Sequence, residues 1–160
     1  MQATLHTRSA AETERAGEVL APLLAPGDVV ALTGDLGAGK TRLVQGVACA
    51  LGVEEPVTSP TFNLLLVHPG ALPLYHFDLY RLERESELED IGFFETLESD
   101  GVSMIEWGDR FPAALPADRL VVSIERTGDQ SRLLALDARG PRSEALASAW
   151  LARCHAEGLT

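Results

Sequence analysis

Three glycines, a lysine and a threonine fall within eight consecutive positions of this chain, Gly34-Asp35-Leu36-Gly37-Ala38-Gly39-Lys40-Thr41. The segment fits G-x-x-x-x-G-K-[ST] at each fixed position. Its chemistry is phosphate binding. Successive backbone N–H groups must converge on phosphate oxygens, and glycines keep side chains out of the way. A helix beginning near Lys40 adds its positive N-terminal end at the same point. On this reading the backbone from Asp35 and Leu36 through Gly37, Ala38 and Gly39 wraps the phosphates. Lys40 bridges the β- and γ-phosphates, and the Thr41 hydroxyl ligates magnesium. Arg42 follows on the helix, either approaching phosphate or solvated on the helix surface.

A phosphate loop alone hydrolyses nothing; it needs a carboxylate on the magnesium side and a group that positions the attacking water. Two acids stand at the ends of apolar runs. Glu106 closes Val102-Ser103-Met104-Ile105, with Trp107 after it, and Asp78 lies late in Leu74-Tyr75-His76-Phe77-Asp78-Leu79. A carboxylate in such surroundings is costly unless paired or near a cation. For Asp78, Arg81 is a possible partner of purely structural kind. Glu106 and Asp78 are thus candidate catalytic and magnesium-side acids, and the sequence does not choose between them. Thr58-Ser59-Pro60-Thr61-Phe62 reads either as a polar turn closed by Pro60 or as a segment whose hydroxyl senses the γ-phosphate. His76 alternates with Asp78 on one strand face, and a hydrogen-bonded histidine is favoured over a metal ligand because no third ligand is suitably spaced.

These groups need positioning elements. Val29-Val30-Ala31-Leu32 reads as a strand buried on both faces that feeds the loop. Leu43, Val44, Val47, Ala48 and Leu51 mark the helix leaving it, with Gly52 at its C-terminal cap. Upstream, Gln2–His6 reads as a strand. Ser9-Ala10-Ala11-Glu12 is a capping box for a helix bearing Ala16, Val19, Leu20, Leu23 and Leu24. Downstream, Phe62–His68 and Leu74–Leu79 suggest a hairpin around Pro69-Gly70. Glu85–Leu97 reads as helix broken at Gly92. Leu120–Glu125 and Leu133–Leu136 are strands, and Ser143–His155 is a closing helix with Leu146, Ala149, Trp150 and Arg153 on one side. The expected architecture is α/β: a three-layer domain with a mostly parallel central sheet flanked by helices, plus an antiparallel hairpin. The 160 residues contain no repeat or linker, so a single domain over 1–160 is expected.

Composition narrows the function. The chain carries 24 acids against 13 bases, a net charge of -11, and Lys40 is its only lysine. Between Glu83 and Asp100 eight acids accompany one base, Arg84. Such a chain is poorly suited to gripping nucleic acid unaided. No apolar stretch approaches the 18 or so residues of a membrane span, and no secretory signal precedes the first strand. Cys49 and Cys154 form no disulfide or zinc pattern and are expected as two buried thiols in a reducing cytoplasm. A guanine-reading N-K-x-D segment needs a second lysine, so adenine is the default base.

Taken together, Gly34–Thr41, Ser59-Pro60-Thr61-Phe62, His76-Phe77-Asp78-Leu79-Tyr80-Arg81 and Ile105-Glu106-Trp107 resemble, in order and spacing, the TsaE (YjeE) family. These are bacterial ATPases required to make N6-threonylcarbamoyladenosine at position 37 of tRNA. The loop is shared by very many proteins, whereas the three later motifs are far more specific. The resemblance runs from about Ser9 to Arg139. It implies a phosphate-loop ATPase fold, ATP and Mg2+ as cofactors, and action with the TsaB–TsaD pair in the cytoplasm, with tRNA met through the complex. It also implies that Lys40 and Thr41 hold phosphate and magnesium, that Thr61 stands in a switch-like segment, that Asp78 and Glu106 are the catalytic acids, and that Trp107 lies beside the nucleotide. Arg42 replaces a threonine frequent in the family, and Pro141–Thr160 carries no family motif. Two other readings remain: a small-molecule kinase, which would need an arginine lid drawn from Arg81, Arg84, Arg110 and Arg126, and a nucleotide-dependent interaction switch with incidental turnover.

Overall fold

The computed structural model describes residues 1–35 and 37–159. Its frame is one seven-stranded sheet. In chain order the strands are β1 (Gln2–Thr7), β2 (Val29–Thr33), β3 (Leu65–His68), β4 (Leu74–Asp78), β5 (Val102–Glu106), β6 (Arg119–Arg126) and β7 (Arg132–Arg139). Across the sheet they run β1-β7-β6-β2-β5-β4-β3. The four inner strands β6, β2, β5 and β4 are parallel, while β7, β1 and β3 extend the two edges antiparallel. The apolar run Val29–Leu32 therefore occupies the middle of the parallel core and is buried throughout, as expected of a strand covered on both faces.

Two faces of unequal depth cover this sheet. On one lie α1 (Ala10–Leu20), α2 (Lys40–Ala50) and α5 (Pro141–Ala156), which share a core with Val30, Leu32, Met104, Leu120 and Leu136. On the other, the short helices α3 (Glu87–Asp90) and α4 (Phe93–Leu97) pack Leu88, Phe93 and Leu97 onto Val29, Phe77 and Ile105. Strand alternation divides the residues: 74, 76 and 78 of β4 and 102, 104 and 106 of β5 share the α2 face. α1 starts where Ser9 accepts the N–H of Glu12, while the Glu12 carboxylate accepts the N–H of Arg8. Where α1 crosses α2 the backbones nearly touch. A Cβ on Gly17 would stand 2.3 Å from the Leu43 carbonyl oxygen, and one on Gly46 would stand 1.9 Å from that of Glu14.

The structure corrects four expectations. The strand expected from Phe62 begins only at Leu65, because residues 61–63 form a turn closed by the Leu64 N–H on the Pro60 carbonyl (2.7 Å), which leaves Phe62 83% exposed. α1 stops at Leu20, and a 3₁₀ turn containing Pro22 carries Leu23 onto the core edge. The buried side of α5 is Leu146, Ala147, Trp150 and Cys154; Arg153 is exposed. Cys49 is exposed as well, and only Cys154 is buried, its thiol pushed up to about 12 by desolvation.

Candidate functional site

The expected site residues converge at the C-terminal end of the parallel strands, where the chain leaves β2 toward β3 and β4 on one side of the sheet and leaves β6 toward β7 on the other. That is where an open α/β sheet presents its crevice. A cavity of about 420 Å³ opens there, with Gly37, Gly39, Lys40 and Thr41 on its floor and Thr61, Asp78, Glu106 and Trp107 along one side. Its position follows from the strand order. β5 lies between β2 and β4, Glu106 pairs in register with Leu32 on one side and with Asp78 on the other, and both carboxylates point to the α2 face.

The loop enters α2 through Gly39, which occupies the left-handed region at φ 116°. A side chain there would strain the backbone at the entry to α2. Lys40 is nearly buried, at 4% exposure. Its Nζ donates to the Gly34 carbonyl at 2.6 Å and the Asp35 carbonyl at 2.9 Å, and it sits 4.5 Å from the centre of the Trp107 ring. Desolvation holds its pKa below the usual lysine value, against the opposing pull of Glu106, Asp78, Asp35 and Asp109. Ala38 is buried, and its carbonyl accepts Arg132 Nε from β7 at 2.7 Å. Leu36 lies outside the described residues.

Each carboxylate is held by hydroxyls. Thr41 Oγ1 shares its proton between Glu106 Oε2 (3.0 Å) and Oε1 (3.1 Å), and His76 Nε2 stands 2.5 Å from Oε2. Thr61 Oγ1 donates to Asp78 Oδ2 at 2.8 Å, Ser59 Oγ lies 3.3 Å from the same atom, and the Tyr80 N–H donates to Oδ1 at 2.9 Å. Arg81 is not the partner of Asp78; its guanidinium lies over the Phe62 ring at 5.2 Å. Trp107 adopts φ 58°, an uncommon conformation for a bulky residue, and its ring leans on Tyr80 at 4.8 Å. Arg42 stands at the cavity rim with its guanidinium 3.4 Å from Glu14 of α1, closer to the surface reading than to a phosphate-facing one.

The donor set consists of one hydroxyl and two carboxylates, all oxygen. That suits magnesium, which takes one or two protein ligands and completes its shell with phosphate and water. No cluster of three or more histidine, cysteine or acidic residues fit for a metal occurs among the described residues.

The family model for the threonylcarbamoyl adenosine biosynthesis protein TsaE matches residues 7–134. The chain belongs to the TsaE family. The Treponema pallidum protein named tRNA threonylcarbamoyladenosine biosynthesis protein TsaE is 46% identical over 126 residues, covering 79% of this chain and 93% of that protein. The Bacillus subtilis protein of the same name is 43% identical over 136 residues, covering 84% and 85%. The crystal structure of Bacillus subtilis YdiB superposes with a TM-score of 0.82 at 35% identity, covering 94% of each chain.

Within this TsaE chain, His76 is the hydrogen-bonded histidine expected, with a partner the sequence does not indicate, Glu106, 30 positions away. Two further residues have no signal of their own in the sequence. Ser59 lies inside a quoted motif but is not distinguished within it. Arg132 gave no local signal at all, since it reaches the loop only through the pairing of β7 with β6.

Proposed function

We propose that this TsaE-family chain is the ATP-binding and ATP-hydrolysing component of the machinery that forms N6-threonylcarbamoyladenosine at position 37 of tRNA, acting with the TsaB–TsaD pair. The observation that carries the reading is the register-paired Asp78 and Glu106, both at most 3% exposed, facing Thr41 at the start of α2. Buried paired acids beside a phosphate loop are what phosphoryl transfer to water requires. Lys40 and the backbone from Asp35 to Gly39 hold the phosphates. Thr41 would be the direct protein ligand of Mg2+, with the Glu106 and Asp78 carboxylates beside it, and the ion would supply charge neutralisation at the phosphate. Thr61 and Ser59, which already bond Asp78, orient that carboxylate to position the attacking water.

The kinase alternative needs arginines over the acceptor. Arg110 instead donates to the Leu82 carbonyl, Arg126 pairs with Asp129, and Arg81 covers Phe62. The deciding experiment measures phosphate release with ATP and Mg2+, with and without the TsaB–TsaD pair. Slow turnover alone and a large rise with the pair is the expected outcome; no complex and no rise would sink the proposal. In the same assay Glu106→Ala retains ATP binding and loses turnover by about 100-fold or more. Because the chain is acidic, the isolated protein is expected to show no tight, salt-sensitive binding of tRNA.

A further inference from the structure

Behind the paired carboxylates lies a polar chain that the proposed mechanism does not use. His76 is fully buried on β4, one pleat behind Asp78, in register with Met104 of β5 and Leu66 of β3. Its Nε2 is 2.5 Å from Glu106 Oε2. A carboxylate only accepts, so Nε2 donates, and in the neutral ring Nδ1 is left as the accepting nitrogen. That Nδ1 is buried and has no hydrogen-bond partner among the described residues. His68, the last residue of β3 and paired with Leu74 of β4, repeats the arrangement in mirror form. Its Nδ1 is 2.8 Å from Glu55 Oε1, so Nδ1 carries the proton, and its buried Nε2 is likewise without a partner. The two ring centres are 6.3 Å apart.

Two buried acceptors on rings this close match one donor of two protons. Two hydrogen bonds of about 2.8 Å meeting at a water oxygen bridge roughly 4–5 Å, which suits ring centres 6.3 Å apart. Buried waters occur where otherwise unsatisfied polar groups converge in this way. We propose that His76 is a positioning residue for Glu106, and that one buried water, donating to His76 Nδ1 and His68 Nε2, locks its ring. The chain then runs Glu55, His68, water, His76, Glu106, Thr41. It begins in the segment that leaves α2 and continues into Ser59 and Thr61, so one stretch of backbone steadies both carboxylates from opposite sides. His76 touches no reacting atom in this scheme. It fixes the rotamer that aims Glu106 at Thr41, as a partner behind a ligating side chain commonly does.

The catalytic part of this inference rests on the ATPase reading above, so the experiment has one arm that does not. In the nucleotide-free wild-type protein, 15N spectra of the imidazole rings report which nitrogen carries the proton. Protonation of His76 at Nε2 and His68 at Nδ1, with the other nitrogens accepting, is the expected pattern; any other pattern overturns the proposal whatever the protein hydrolyses. The second arm compares His76→Gln and His76→Leu in partner-stimulated ATP hydrolysis, after thermal denaturation has established that each is folded. Gln keeps an N–H near the Nε2 position, whereas Leu only fills space. Leu lowers kcat by about 10- to 100-fold with little change in KM, and Gln restores most of it. Equal activity of the two variants, at any level, overturns the positioning role. If His76→Leu does not fold, His68→Phe, which removes the second acceptor of the water, is expected to lower kcat in the same sense and by less; unchanged kcat overturns the bridge. A wild-type protein inactive with its partners would defeat the ATPase reading and leave the ring assignment to stand or fall on its spectra.

Discussion

Lys40 spends two of its three protons on the Gly34 and Asp35 carbonyls, so the residue proposed to serve the phosphate also braces the entry to its own loop. Burial weakens its hold on its proton, and an arriving phosphate adds a nearer opposite charge that favours the ammonium. The space between the Gly34 and Asp35 carbonyls and the Trp107 ring suits a compact point charge. A planar guanidinium needs a wider, flatter setting. Lys40→Arg is therefore expected to keep the charge yet lose about 100-fold or more of the ATP turnover, measured as phosphate release with the partner pair present. Turnover near the wild-type level would show that charge alone suffices. At this scale the sequence marks residues that gather at one cavity and is silent about how they touch. The eight-residue loop is local, so spacing identifies it. The bonds from Thr61 to Asp78 and from Thr41 to Glu106 cross 17 and 65 positions and depend on which strands become neighbours.

The elements that make them neighbours are fixed by close approach. α2 carries Lys40 and Thr41 at its first turn, and its seat on α1 is the glycine crossing described above. No rotamer relieves a Cβ placed against a backbone carbonyl, so the two helices would have to separate. Gly46→Ala is expected to destabilise the fold by at least about 1–3 kcal/mol, seen as a lower midpoint in urea, and to weaken ATP binding as the loop shifts with its helix. A variant with unchanged stability would mean that the crossing adjusts freely. Hydrophobic spacing located both helices but not this contact, because glycine leaves no mark in a periodic pattern. The same limit applies to the start of β3. Phe62 and Leu64 look like strand residues by type, yet the turn closed on Pro60 and the bond from Thr61 to Asp78 draw them out of the sheet.

At the scale of the molecule, α5 is legible as a helix, expected over Ser143–His155 and observed over Pro141–Ala156, but its joint with α1 is not. It lies beyond the residues matched by the family model and carries none of the quoted motifs. Even so, Trp150 is fully buried and its Nε1 donates to the Ala16 carbonyl at 2.9 Å. The alternation of strands and helices announced a layered α/β fold, and the apolar run at Val29 announced its centre. Which side each helix would cover was not legible, since that depends on crossovers rather than on any one segment. Trp150→Ala removes a large side chain from the joint between α5 and α1 and leaves that carbonyl unpaired. A loss of about 3–5 kcal/mol is expected, read as a drop in thermal midpoint of roughly 2–4 °C per kcal/mol. A loss below about 1 kcal/mol would make α5 an appendage.

The register pairing of Asp78 with Glu106 also sets where this chain can change length. Both acids reach the cavity because strand parity turns residues 76, 78 and 106 to one face. One residue added inside β4 would send Asp78 or His76 to the opposite side of the sheet, while the backbone ladder could still close. The excursion from Leu79 to Gly101 has no such parity to keep. Its ends are pinned at adjacent strands, and each doubling of a flexible loop costs only about 0.6 kcal/mol. Length changes are thus better borne by the exposed acidic turns of this excursion than by β4, provided Leu88, Phe93 and Leu97 still reach the sheet, and the spacing of the carboxylates then stays untouched.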